Sequence, residues 1–298
     1  MNIYKNIKKV GLLSMLGLAF VSCDNDNDLR PSGFDVSEQP KGVLDQWIYD
    51  NYTKPYNIEA TYKWNQAFGY YDKVLTPPKE ENVKPALQMV KKIWLDSYAD
   101  AAKEKEKFVK GIAPRQFHLI GSYNVNNDGT ITLGEAGGGA RITLFNTNYV
   151  KNNDLESVRQ FVHTVQHEYV HILNQTRDFD RVAWAEISRG GLYTSSWYLY
   201  SDPESNALGF VTSYARSNYD EDFAETASFI LMKTKAEWEQ FLAELTSESG
   251  KKDILAKVDL VVAYYKDEFD IDFWELRDHA ERNTNDVVSG NFEETNEN

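Results

Sequence analysis

His167-Glu168-Tyr169-Val170-His171 lies inside a run, Leu155 to Gln175, in which Val158, Phe161, Val162, Val165, Tyr169, Ile172 and Leu173 recur every three or four residues. That spacing predicts an amphipathic helix, and Asp154 stands where an N-cap belongs. The pentad is an HExxH motif. Four residues make slightly more than one helical turn, so both imidazoles share a face and can reach one metal ion. Glu168 can face the attacking water without ligating the metal, and zinc lowers that water's pKa to ~7, within reach of a neighbouring carboxylate. The plainer alternative is a buried helix with two hydrogen-bonded histidines. His163 extends the ladder by one turn, but Thr164 rather than an acid follows it, so it reads as a packing residue or a support for the site.

The surroundings set the fold class. Gly42 to Tyr52 and Asn82 to Val109 carry helical apolar spacing, and Lys103 to Lys107 reads as a solvated helix face. Residues 53–78, rich in Tyr, Pro and Asn, resist assignment. Phe117 to Val125, Thr130 to Leu133 and Ala140 to Phe145 read as short strands, with Asn127-Asp128-Gly129 as a turn. Gly137-Gly138-Gly139 between them is either a flexible hairpin loop or a place of close approach by another chain. Lys235 to Leu245, Ile254 to Phe269 and Phe273 to Arg282 are helical in pattern, and the polar stretch after Asn283 reads as a frayed tail. The expected class is therefore α+β and zincin-like: a small sheet, then the HExxH helix, then a mostly helical C-terminal half. In that order an edge strand near the metal can pair with extended substrate.

A catalytic zinc site needs a third protein ligand and an open fourth position. Asn174, Gln175 and Thr176 follow the pentad, so the extended HExxHxxGxxH pattern is absent. His118 and His279 lie in unrelated settings. An acid on a second helix is the natural choice. Glu221, Asp222 and Glu225 stand where a helix should start, Glu221 and Glu225 share a face, and Glu186 is a weaker candidate. Sequence geometry does not separate them.

The start of the chain has its own logic. Lys5, Lys8 and Lys9 precede an apolar run from Val10 to Val21, the pattern of a secretory signal, and too short for a membrane-spanning helix. Phe20-Val21-Ser22-Cys23 resembles a bacterial lipobox, with Phe20 departing from the usual aliphatic residue. Cys23 is the only Cys in the chain, which excludes internal disulfides and Cys-rich zinc sites, and acylation there would anchor the protein durably. Asp24-Asn25-Asp26-Asn27-Asp28 reads as an acidic tether. The chain has 46 acidic and 32 basic residues, a net charge of −14; without residues 1–22, which hold three Lys and no acids, it is −17. Such charge opposes phosphate backbones, so no nucleic-acid partner is expected. The expected organisation is a signal over 1–22, lipidated Cys23 and tether over 23–41, one zincin-like domain over 42–283 (helices and sheet to 150, then helices and metal site), and a disordered tail over 284–298.

His-Glu-Tyr-Val-His followed by Ser213-Tyr214-Ala215-Arg216-Ser217-Asn218-Tyr219-Asp220-Glu221-Asp222-Phe223-Ala224-Glu225 resembles the lethal-factor-type gluzincins. With the lipobox and Leu208-Gly209-Phe210-Val211, the pattern is similar to the substrate import-associated zinc metallohydrolase lipoproteins. The motif-bearing likeness spans about residues 155–230. It implies Zn2+ held by His167, His171 and Glu221, with Glu168 as general base. It implies Tyr214 as the tyrosine that points at the metal, and Glu225 as an acid that holds a ligand histidine from behind. It further implies a lipid-anchored protein of the outer membrane that accompanies a TonB-dependent importer and its binding lipoprotein; a peptide or protein is the substrate expected from the HExxH chemistry.

The reading that follows is a zinc-dependent metallohydrolase, a peptidase above all. Its first rival is a non-catalytic ligand-binding lipoprotein on a zincin scaffold that serves an importer. Glu168 and Tyr214 argue against it, since metal binding alone needs neither. A second rival keeps the zinc and hydrolyses a non-peptide amide or a glycan-linked group.

Overall fold

The computed structural model describes residues 42–291 apart from 67–69, 104, 139 and 189. The readings for the signal, Cys23, the tether and residues 292–298 fall outside them.

Helix α1 (Val43–Ile48) runs on through a π-type turn, Tyr49–Thr53, and a last turn, Lys54–Tyr56. Asn57 ends it at φ 57°, and the chain enters strand β1 (Glu59–Thr61). Helix α2 begins at Glu80–Val90 and passes through a π-type stretch, Lys91–Leu95, into Asp96–Ala101. The single helix expected to Val109 is broken, because Ala102 is extended. Helix α3 (Lys105–Ile112) then folds back, stacking Phe108 on Tyr98 with centroids 6.1 Å apart.

Five strands follow: β2 (Gln116–Leu119), β3 (Asn124–Val125), β4 (Ile131–Thr132), β5 (Gly134–Gly137) and β6 (Arg141–Leu144). The main sheet has the order β1-β2-β6-β5. Its first three strands are parallel, and β5 lies antiparallel on the edge. β3 and β4 form a separate small hairpin. Strands β1 and β5 were not expected from sequence, and the expected Phe117–Val125 segment divides between β2 and β3. Of the glycine triplet, Gly137 ends β5 and Gly138 turns the hairpin at φ 58°, with nothing within 4 Å of the place a Cβ would take. Gly138 thus forms the hairpin turn, and a close approach within the chain lies at Gly134.

Helix α4 (Leu155–Thr176) is capped by Asp154, whose Oδ1 accepts from the Ser157 N–H at 2.8 Å. Tyr169 packs edge-on against Trp94 at 4.8 Å and Tyr98 at 4.9 Å, and Trp94 packs in turn on Phe117 of β2 at 5.5 Å. This aromatic chain ties the HExxH helix to α2 and the sheet. Helices α5 (Arg181–Ile187), α6 (Asp202–Asn206), α7 (Tyr219–Leu231), α8 (Lys235–Glu244), α9 (Glu248–Phe269) and α10 (Phe273–Val288) complete the C-terminal half.

Helix α10 continues six residues past its expected end at Arg282. Asn283, Thr284 and Val287 are buried, and Asn283 donates to Ser97 Oγ at 2.9 Å. Residues 284–288, expected in the tail, are thus helix packed on α2. The α+β arrangement, a small mixed sheet followed by a mostly helical half, is the class the sequence predicts.

Candidate metal centre

Helix α4 carries His167, Glu168 and His171, and α7 crosses it with its first two turns facing them. Asn218 caps α7 by accepting from the N–H groups of Asp220 and Glu221, which fixes Glu221 in the first turn. His167 Nε2 lies 2.9 Å from Glu221 Oε2 and 3.1 Å from His171 Nε2, and His171 Nε2 lies 3.4 Å from Glu221 Oε2. Ligand atoms of a tetrahedral zinc sit roughly 3.3–3.5 Å apart, given Zn–N and Zn–O distances of about 2.0–2.2 Å. Two imidazole nitrogens and one carboxylate oxygen at nearly that spacing make a donor set that fits zinc. Burial pushes Glu221 up, but its bonds to His167 and His171 outweigh it and hold the carboxyl well below its ordinary range.

Glu225, one turn on from Glu221, faces the back of His167. Its Oε1 is 2.9 Å from His167 Nδ1, and its Oε2 accepts from Thr212 Oγ1 at 2.8 Å. A carboxylate on Nδ1 fixes the ring so that Nε2 points at the other two donors. Burial pushes Glu225 up, yet His163 and His167 bring it down to about 2. His163 lies 3.4 Å from Glu225 and 3.1 Å from Ser228 Oγ, so it supports the acid from the side and takes no place among the converging donors.

Glu168 is buried beneath the edge strand, with its Cγ 3.2 Å from the place a Cβ on Gly134 would take. Burial raises its carboxyl against the downward pull of His167 and His171. Tyr214 lies in a 3-10 turn, Tyr214–Arg216, with its ring 5.7 Å from that of His167 and Trp197 packed edge-on against it at 4.8 Å. Burial, with Glu221, Glu168 and Glu225 nearby, pushes the phenol well above its ordinary range, so it stays an O–H donor. Clefts of about 600 Å3 and 790 Å3 open on either side, and Gly134, Glu168 and Tyr214 line both.

The other acids divide cleanly. Asp222 turns away from the donors: fully buried, it accepts from Trp184 Nε1 at 3.0 Å and Tyr193 OH at 2.7 Å and pairs with Lys257 at 2.7 Å. Glu186 stays on α5 outside the donor cluster, the sole group of metal-binding geometry among the described residues. His118 bonds Thr61 in the sheet, and His279 sits beside Glu275 on α10.

Gly134 was missed from sequence. A Cβ there would stand 2.3 Å from Thr164 Cγ2 and 3.2 Å from Glu168 Cγ, so only a glycine lets β5 lie this close to α4. Lys257 was missed too. It holds the Asp222 carboxylate and donates to the Gly209 carbonyl at 2.7 Å. A glycine beside an acid at the start of a strand was a usable cue for the first. An isolated Lys in a helical pattern gave none for the second.

Comparison with known proteins agrees with this geometry. The family described as "Putative zinc-binding metallo-peptidase" matches residues 37–274. A crystal structure of a protein described as a putative zinc-binding metallo-peptidase, from Bacteroides caccae, superposes with a TM-score of 0.69 at 31% identity, covering 86% of this chain and 97% of that one. No curated protein matches. With a fitting donor set of His167 and His171 on α4 and Glu221 on α7, and a family match over most of its length, the chain belongs to the zinc-binding metallo-peptidase family.

Proposed function

We propose that the protein is a zinc peptidase of the gluzincin type in which His167, His171 and Glu221 hold the metal, Glu168 is the general base and Tyr214 stabilises the oxyanion. The observation that carries this reading is the convergence of His167 Nε2, His171 Nε2 and Glu221 Oε2 within 3.4 Å of one another, with Glu168 and Tyr214 lining the same clefts. Zinc there supplies Lewis acidity toward a carbonyl and a water acidic enough to attack at neutral pH.

The residues supply the rest. The Glu168 carboxylate, raised by burial, takes the proton of the attacking water and passes it to the leaving amine. The Tyr214 O–H, kept protonated, donates to the oxygen on which charge develops. Edge strand β5 offers its backbone to an extended chain laid along the cleft, a β-augmentation mode. That geometry favours a peptide over a compact substrate.

The envelope setting belongs to the same proposal. The charged and apolar start, Ser22-Cys23 and the acidic run after it support a lipid anchor at the outer membrane. The likeness to import-associated metallohydrolases supports a place beside a TonB-dependent importer.

The test is a screen of zinc-loaded protein against a mixed peptide library, with cleavage read by mass spectrometry and Glu168→Gln as control. Cleavage by wild type, absent in Glu168→Gln while its zinc is retained, supports the reading. Peptides bound equally by both proteins and cleaved by neither would move the protein to the ligand-binding alternative.

A further inference from the structure

The cleft beside Trp197 does not end at the metal centre. It meets a further cavity of about 890 Å3, and the two share Gln160, His163 and Thr212 as walls. The groove thus follows α4 backward from His167 toward Arg159. Those eight residues cover roughly 12 Å at 1.5 Å each, the length of about three to four residues of extended chain.

The far cavity holds a cation that makes no ion pair among the described residues. Lys233 is half-buried, and its Nζ lies 4.2 Å over the Phe229 ring. The nearest acid on α8 is already committed. Both oxygens of Glu237 receive Arg159, at 2.7 and 2.8 Å, and Oε2 also accepts the Thr234 N–H at 2.8 Å. Asp154, on the cavity rim, is occupied in capping α4, and Glu156 is exposed at its mouth. Among the described residues no carboxylate comes within ion-pair distance of Lys233. In a chain of net charge −14, a half-buried ammonium in a groove, with Glu237 held by Arg159 rather than paired to it, is a ready anion site. Burial lowers its pKa, with Arg159 adding to the shift against the upward pull of Glu237.

The direction of a substrate follows from β5. Leu133 and Gly134 share one cleft with Gln160 and His163, and Glu135 and Ala136 share the other with His171 and Asn174, so β5 runs in the same sense as α4. Antiparallel pairing is the more stable ladder. A chain so paired runs opposite to α4 and sends its C-terminal side toward His163 and Lys233.

We infer that Lys233 reads a carboxylate on the C-terminal side of the scissile bond, about three to four residues along, and that this peptidase selects peptides carrying an acid there. The carboxylate comes either from a chain terminus or from an Asp or Glu side chain. The inference rests on the peptidase reading above, and its test separates the two. Zinc-loaded Glu168→Gln protein, full chain, captures peptides from a library whose members exist with free or amidated C-termini and with Glu or Gln at each position. Capture and wild-type cleavage are both quantified.

The expected result is about tenfold or greater preference for the carboxylate form, lost in Lys233→Met, kept in Lys233→Arg, and turned toward basic residues in Lys233→Glu. Loss of preference on C-terminal amidation assigns the terminus; loss on Glu-to-Gln exchange assigns the side chain. Preferential capture without cleavage by wild type would overturn the peptidase reading and leave the anion site standing. Equal capture of all forms, or a preference that survives in folded Lys233→Met, overturns the inference.

Discussion

Replacing Gly134 with alanine tests whether edge strand and catalytic helix are locked together. The new Cβ would lie 2.3 Å from Thr164 Cγ2, 3.2 Å from Glu168 Cγ and 3.4 Å from Glu168 Oε1. Carbon atoms pack comfortably at about 3.5–4.0 Å, so strand and helix must part by about 1 Å or more. Overpacking of this kind costs ~1–3 kcal/mol. The catalytic cost is larger, because Glu168 lies directly against the same strand and a misplacement of ~1 Å costs on the order of 10²-fold in rate. The severest clash is with a single methyl, Thr164 Cγ2. Thr164→Ser removes it and keeps the hydroxyl that bonds the Gln160 carbonyl at 3.1 Å. Urea unfolding and kcat/KM on a peptide found by screening, measured for both single variants and the double variant, form a complete cycle. Gly134→Ala should lose activity far more than stability, and adding Thr164→Ser should restore much of both. A Gly134→Ala protein with unchanged activity and unfolding midpoint, or a double variant no better than the single, would refute the placement of β5 on α4.

Three further outcomes follow from the same contacts. Glu225→Ala removes the carboxylate behind His167 and should weaken zinc binding ~10–100-fold in competition with a chromogenic chelator; unchanged affinity would mean that Glu225 does not orient the ring. Tyr214→Phe should lower kcat by ~10²–10³-fold while metal content stays that of wild type, and a fully active variant would remove Tyr214 from the reaction. Lys257→Met leaves Asp222 buried and unneutralised and should destabilise the fold by ~3–5 kcal/mol in urea titration, whereas a loss below ~1 kcal/mol would show that Trp184 and Tyr193 alone satisfy the acid.

What could be read from the chain was local. The HExxH helix and its Asp154 cap are found within two residues of their predicted positions, because apolar period and cap chemistry are both written in adjacent residues. Which acid faces the histidines was not. Helical period puts Glu221 and Glu225 on one face and Asp222 about 100° round from it, but only the way α7 crosses α4 decides that the first face meets His167 and the second meets Lys257. Strands β1 and β5 escaped because Glu59-Ala60-Thr61 and Gly134-Glu135-Ala136-Gly137 carry little apolar alternation; pairing with β2 and β6 holds them extended. The end of α10 escaped for a related reason. Asn283 and Thr284 look like tail residues until Ser97 and the Ala280 carbonyl give them buried partners.

The central claim is the three-ligand zinc centre, and metal content tests it most directly. Mass-spectrometric metal analysis of purified, reconstituted wild type, His171→Ala and Glu221→Ala should find about one zinc per wild-type chain and little in either folded variant, as a three-ligand site requires. A wild type that takes up no zinc, or a Glu221→Ala variant that keeps its full complement, would contradict it.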